Sequence, residues 1–366
     1  MIHVLLGTRV QVIKMTPIMH LLQKRGVDYN FIFMAQHRDT VYEMLDDFGL
    51  KHPDYVLGNI EGDIVSSTRM AFWSFGVLAS GIRHRSKVFR GDKQGIVLIH
   101  GDAPPLFLGA ILARAQGLKV ASIEAGLRSF ALLRPFPEEL VRVVTGRLGL
   151  IDIHYCQDEA ALRNANSYSG RAVNTGGNTI LDAIRLATEK GAQNNLGNHR
   201  PVQENYAVVT LHRYETISRK ARLLQVVNLV LRISKSIHLK FILHPPTKKA
   251  LQREGLYERL EESQNIDLVP RLNFIAFQSL ISPAKFMVTD GGSNQEESFY
   301  LGIPCLLFRS ETERSEGLGR NVVLSGFDTA VIDDFVINCE TYRFAPVALT
   351  GSPAELIVNE VSALAG

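Results

Sequence analysis

Short apolar runs alternate with helix-length stretches twice over in this chain, and several of the runs have no polar face. In the first half the runs are Ile2–Leu6, Asn30–Met34, Ile96–His100, Lys119–Ile123 and Ile153–Cys156. Between them, helical spacing covers Val12–Lys24, Thr40–Phe48, Ile64–His84, Pro105–Ala115 and Glu138–Leu148. A strand without strict alternation is covered on both faces. Strand–helix–strand alternation then builds a parallel sheet with helices on either side. The second half repeats the scheme, with runs at Ala207–Leu211, Lys240–Leu243, Ile266–Leu268, Phe286–Thr289 and Cys305–Phe308. Its helices are expected at Lys220–Ile237, Leu251–Ser263 and Gln295–Tyr300, and the polar stretch Glu189–Glu204 reads as a loop or linker. The expected fold class is α/β, with two doubly wound domains facing a cleft. A length of 366 residues agrees, because it exceeds what one ordinary core holds.

Charge and cysteine content narrow the function. The formal charge is +3, too near neutral to argue for a nucleic-acid partner. Three widely spaced cysteines, Cys156, Cys305 and Cys339, argue for a reducing compartment and against a disulfide framework or Cys-x-x-Cys zinc. The first residues read as a strand rather than a signal peptide, and no apolar run reaches the length of a membrane span. The expectation is a cytoplasmic protein with no membrane partner.

In doubly wound sheets ligands bind outside the carboxyl ends of the strands. The polar motifs of this chain fall mostly at those ends. Asp102 and Glu124 each follow an apolar run, and Glu138 opens a helix. Carboxylates set among Gly, His and Arg are costly in a core and useful in a cleft. Their ordinary role would be ion pairing with Arg128, Arg134 and Arg142, which is compatible with catalysis. Gly7–Pro17 turns from a strand into a helix whose free amides favour an anion, with Arg9 and Lys14 adding charge. Thr289–Glu297 is sharper: Gly291 and Gly292 let a phosphate approach the backbone, and Ser293 and Asn294 are candidate helix caps. Glu296 or Glu297 is placed to take ribose hydroxyls. His212 and His244 each follow a strand, and Arg213 beside His212 suits a diphosphate. No metal-ligand spacing such as H-E-x-x-H occurs, so basic groups and helix termini are expected to hold phosphates instead of a metal.

Taken in order, these segments resemble the non-hydrolysing UDP-N-acetylglucosamine 2-epimerases. The matching stretches are GTR with Lys14, AQHRD, IHGD, SIEAGLRS, PFPEELVR, GGNTILDA, TLHRYE, the Asp-Gly-Gly-rich QEE segment and FRSETER, from Gly7 to about Val323. The resemblance implies two Rossmann-like domains in a GT-B-like arrangement, 1–174 and 175–350, with residues 351–366 a helix crossing back to the first. It also implies a homodimer and a UDP-sugar substrate inverted at C2 without added cofactor. The positions that match the family's catalytic residues are Asp102, Glu124, Glu138 and His212. Arg9, Lys14, Arg142, Arg213, Gly292, Ser293, Glu296 and Arg314 match its substrate and nucleotide site. Gln36, His37 and Arg69 match positions tied to allosteric UDP-N-acetylglucosamine binding in some bacterial members.

The chain departs from the family pattern at four places. Val10 and Gln11 stand where the family has Pro-Glu, TDGGS replaces TDSGG, Ser315 replaces Pro in TERPE, and Ala345–Pro353 replaces the closing NPYGDG-like segment. These differences leave open a modified UDP-sugar, such as a diacetamido uronic acid. A hydrolysing relative that releases N-acetylmannosamine is the other alternative.

Overall fold

Each expected apolar run forms a strand, most of them buried, and each sheet is wholly parallel. The computed structural model describes residues 1–34, 38–58, 67–130, 137–193, 205–312, 314–348 and 351–365. It divides into two units, Met1–Leu186 with Leu349–Gly366, and Ala187–Ala348. The division therefore falls at 186/187, past the 174/175 expected, inside the helix Ile180–Gln193.

In the first unit the strands are β1 (Ile2–Leu6), β2 (Tyr29–Phe33), β3 (Tyr55–Val56), β4 (Ile96–His100), β5 (Lys119–Ile123), β6 (Ile153–Cys156) and β7 (Arg171–Asn174). They lie in the order β3-β2-β1-β4-β5-β6-β7. The order reverses between β1 and β4, so a crevice opens at their carboxyl ends. The residues that follow β1, β4 and β5 are Gly7–Arg9, Gly101–Asp102 and Glu124. The C-terminal helix Pro353–Ala365 also belongs to this unit, where Arg25 Nη1 donates to Asn359 Oδ1 at 2.6 Å. The Ala354 amide donates to Asp182 at 2.9 Å and anchors the start of that helix.

In the second unit the strands are β8 (Tyr206–Thr210), β9 (His238–Leu243), β10 (Ile266–Pro270), β11 (Met287–Thr289), β12 (Cys305–Leu307) and β13 (Val322–Leu324). Their order is β10-β9-β8-β11-β12-β13, with the reversal between β8 and β11. Alternate residues of these strands feed two cores. Val209, Phe241, Val288 and Leu306 pack with the helix Lys220–Ile233 on one face. Val208, Ile242, Met287 and Leu307 pack with Phe277 and Ile281 on the other.

Three expectations are corrected. The polar stretch from Glu189 is helical as far as Gln193, because the helix Ile180–Gln193 continues through it. Gly191 belongs in that helix for packing: a Cβ there would lie 3.1 Å from Ser279 Oγ. Residues 194–204 lie outside the described chain. The helix expected over Leu251–Ser263 is two, Pro245–Arg253 and Tyr257–Glu261, parted at Gly255 with φ +65°. Pro245 opens the first of them, where its missing N–H costs nothing. The short strands β3, β7 and β13 were not expected, since runs this brief carry too little periodicity to register.

Candidate functional site

In the first unit the carboxylates Asp102 and Glu124 sit at the ends of the paired strands β4 and β5. Asp102 is ion-paired with Arg142 of the helix Glu138–Arg147. Glu124 is 8% exposed and holds φ +62°, a left-handed conformation unusual for a side chain of this size. Such strain costs on the order of 1–3 kcal/mol and gathers at functional sites. The Glu124 carboxylate meets Lys14 Nζ at 2.5 Å, and His100 Nε2 lies 3.3 Å from the same oxygen. His100 is enclosed, and burial lowers its pKa below the ordinary histidine value despite the nearby Glu124 carboxylate.

Lys14 thus has a different surrounding from the one its sequence position suggests. It is 1% exposed and pairs with Glu124 rather than standing open to a ligand anion. The arginines are distributed differently too. Arg142 takes Asp102, but Arg128 Nε takes Glu139 at 2.5 Å, and Arg134 lies outside the described residues. Glu138, the expected member, is half-buried at the start of its helix. Its neighbour Glu139 is fully buried and organises the cluster, accepting from the Ser129 amide at 3.0 Å and lying 3.4 Å from Arg142 Nη1. Burial alone would raise the Glu139 carboxyl, but the Ser129 amide and Arg128 outweigh it and hold it below its ordinary value. The signal for Glu139 was its three-residue spacing from Arg142 on one helix face.

Gln11 was named only as a departure, yet it closes the turn after β1. Its Oε1 accepts from the Gly7 and Thr8 amides at 2.9 and 3.1 Å, and Thr8 Oγ1 accepts from the Gln11 amide, completing a capping box. Its Nε2 donates to the His100 carbonyl at 2.7 Å, a bond a carboxylate cannot make. This ties the ends of β1 and β4 together across the switch point. Arg9 is half-buried as the first residue of the helix Arg9–Lys24.

The second unit repeats the device with different chemistry. Asp290, fully buried after β11, accepts from the amides of His212 and Arg213 after β8, each at 3.0 Å. It thereby fixes His212, whose Nδ1 lies 3.7 Å from Asp290 Oδ1 and whose ring lies 4.8 Å from that of His244. Desolvation lowers the His212 pKa, Asp290 draws it back up and Arg213 presses it down, with a net shift below the ordinary value. Gly291 leaves room for its neighbours, since a Cβ would come within 2.8 Å of His212 Cε1 and 2.6 Å of Asn294 Oδ1 and would displace those side chains.

Ser293 and Asn294 do not cap the helix Gly292–Leu301, in contrast to expectation. Gly291 is the N-cap, so the first turn at Gly292 and Ser293 has no N-cap side chain to accept from its amides. Glu296 is fully buried and ion-paired with Arg314. Gln295 holds the same loop, donating to the carbonyls of Arg314 and Glu316 at 3.1 and 2.8 Å. Arg213 lines a cavity in this unit. Arg69 is exposed on the helix Ser67–Arg83, while Gln36 and His37 lie outside the described residues. Among the described residues, no group of three His, Cys, Asp or Glu side chains is placed to hold a metal ion.

The chain is similar to known proteins in sequence and fold. A family model described as UDP-N-acetylglucosamine 2-epimerase matches residues 20–340. The UDP-N-acetylglucosamine 2-epimerase of Methanococcus maripaludis is 30% identical over 349 residues, spanning 92% of this chain and 90% of that protein. Among solved structures, the Methanocaldococcus jannaschii UDP-GlcNAc 2-epimerase in complex with UDP-GlcNAc and UDP is similar at 28% identity and a TM-score of 0.81, over 99% of both chains. The Neisseria meningitidis UDP-GlcNAc 2-epimerase bound to UDP-GlcNAc gives 26% identity and a TM-score of 0.82, again over 99% of both. Because the family model spans most of its length and a relative is 30% identical across most of both proteins, the chain belongs to the UDP-N-acetylglucosamine 2-epimerase family.

Proposed function

We propose that the chain inverts C2 of a UDP-2-acetamido sugar, interconverting UDP-N-acetylglucosamine and UDP-N-acetylmannosamine without hydrolysis and without an added cofactor. The observation that carries this reading is the pair Asp102 and Glu124 at the ends of adjacent strands, each held against a cation. No carbonyl acidifies the C2 proton, so the C1–O bond must break first or together with C2–H. The C2–H electron pair becomes the C1=C2 bond of a 2-acetamidoglucal, and the C1–O pair leaves with UDP. Re-addition of UDP at C1, with a proton delivered to the opposite face of C2, completes the inversion.

Asp102 and Glu124 are the groups we assign to proton transfer at C2. Glu138 shapes the acid–base network, and Arg142 orders Asp102 as its ion-pair partner. The departing diphosphate charge falls to His212, Arg9 and the uncapped first turn at Gly292 and Ser293, with Glu296 and Arg314 on the ribose side. The differences at Val10, Gln11 and Ser293 favour a second reading, in which the same chemistry acts on a modified UDP-sugar.

Incubation with UDP-N-acetylglucosamine in deuterated water tests the reaction. Deuterium at C2 of both epimers, with UDP remaining bound to sugar, is the expected result. Stoichiometric free UDP would mean a hydrolysing enzyme, and no exchange across a panel of 2-acetamido UDP-sugars would sink the proposal.

We also propose that the protein is a cytoplasmic homodimer serving polysaccharide biosynthesis. Phe72, Phe75 and Ile82 form an apolar stripe on the helix Ser67–Arg83 and are 79%, 73% and 40% exposed, which favours a covered surface in the assembly. Cys156, Cys305 and Cys339 are buried and unbonded, as a reducing compartment allows.

A further inference from the structure

His100 closes β4, and its backbone is fixed from both sides. It pairs in register with Ile123 of β5, and its carbonyl accepts from Gln11 Nε2 at 2.7 Å. Ile99 faces the core that holds Leu106 and Leu112 of the helix Pro104–Gln116, so the His100 side chain leaves the sheet on the other face. In regular extended backbone the residue after Ile123 would point away from that face. At Glu124 the backbone departs from that course, with φ +62°, and the carboxylate meets His100 and Lys14 on their own side. Its Oε2 lies 2.5 Å from Lys14 Nζ and 3.3 Å from His100 Nε2. The strained turn therefore has a structural product, one carboxylate oxygen shared by a cation and an imidazole.

His100 is 2% exposed, and apart from this approach neither ring nitrogen has a hydrogen-bond partner among the described residues. An unpartnered polar atom is costly to bury, so packing alone would be served better by an apolar side chain. A carboxylate only accepts, so the nitrogen that faces it carries the hydrogen. Burial, with Lys14 adding to it, outweighs the pull of Glu124 and Asp102 and keeps the ring a neutral donor rather than a second cation.

We propose that His100 is a positioning residue for the reaction, donating from Nε2 to Glu124 Oε2 so that the carboxylate is aimed at C2. This rests on the assignment of Glu124 to proton transfer. Lys14 supplies charge to the shared oxygen, and His100 supplies direction. The rate of C2 deuterium exchange, KM for UDP-N-acetylglucosamine and the affinity for UDP are measured for wild type, His100→Leu and His100→Gln. Leu fills the space without a donor, and Gln keeps an N–H near the place of Nε2. His100→Leu is expected to lower kcat about 10- to 100-fold, with KM and UDP affinity within about twofold of wild type. His100→Gln is expected to recover most of the lost rate, which a packing role would not do. Equal kcat in wild type and His100→Leu, equal loss in both variants, or a loss of UDP affinity that matches the loss of rate overturns the proposal alone. No exchange by wild type on any 2-acetamido UDP-sugar overturns the epimerase reading, and the proposal with it.

Discussion

Lys14 is enclosed in protein, and its ammonium meets the Glu124 carboxylate at 2.5 Å. Removing one partner of a buried pair leaves the other charge without compensation, at a cost of about 3–5 kcal/mol. Lys14→Met is therefore expected to lower the free energy of unfolding by that order, read as a lower urea midpoint, and to slow C2 exchange, since Glu124 loses a group that orients it. A midpoint equal to wild type would mean that Glu124 is held by something other than Lys14. Asp102 sits in a more open pair, with 25% of its side chain accessible. Asp102→Asn keeps the shape and removes the base. The expected result is loss of deuterium incorporation with UDP affinity nearly intact, and full exchange by the variant would remove Asp102 from the proton-transfer role. Arg142 is among the partners expected for these acids, but Lys14 as the partner of Glu124 is not legible in the chain itself, because a local motif names a residue type and not what lies across the fold from it.

At the scale of elements, the turn from β1 into the helix Arg9–Lys24 shows how a departure from a family pattern can be structurally complete. Gln11 both caps this helix and donates to the His100 carbonyl. Gln11→Glu restores the family's residue type but turns the donor into an acceptor facing a carbonyl oxygen. An unmet buried polar group costs about 1–3 kcal/mol, while an acid in a helix's first turn returns only about 0.3–1 kcal/mol. Net loss of stability is the expected outcome, read as a lower Tm, and a rise would show that the helix dipole dominates. The element boundaries were mostly readable from periodicity, as for β1, β4 and β5. The continuation of the helix through Gly191 was not, because it depends on close packing against Ser279 rather than on local preference.

For the molecule as a whole, burial depresses three histidines at once: His3, His100 and His154 all lie below the ordinary value. The unfolded chain takes up these protons near pH 6.5 and the folded chain only at lower pH. Below about pH 6.5 the unfolded state therefore binds more protons, and stability falls as pH falls. The stabilisation is complete above that pH and lost on descending toward the folded values. Carboxylates held below their ordinary range, Asp92 at about 2 among them, add a further loss in more acid solution. Thermal unfolding scanned from pH 7.5 to 5 should show Tm level above about pH 6.5 and declining below it, and a flat profile throughout would contradict the burial of these rings. Assembly is tested at the same scale. Phe72→Lys with Phe75→Lys should convert the proposed homodimer to monomer in sedimentation, and a monomeric wild type would refute the dimer itself.

The sequence by itself determined the α/β class, the positions of the main strands and the chemical character of the groups at their ends. These follow from hydrophobic period and residue chemistry, both of which act over a few residues. Only the tertiary structure decided the partners. Lys14 reaches Glu124 across 110 residues, and Asp290 reaches the His212 amide across 78. Those meetings follow from sheet order, with β1 beside β4 and β8 beside β11. Strand order is set by the packing of whole elements, and that information does not reside in any one segment.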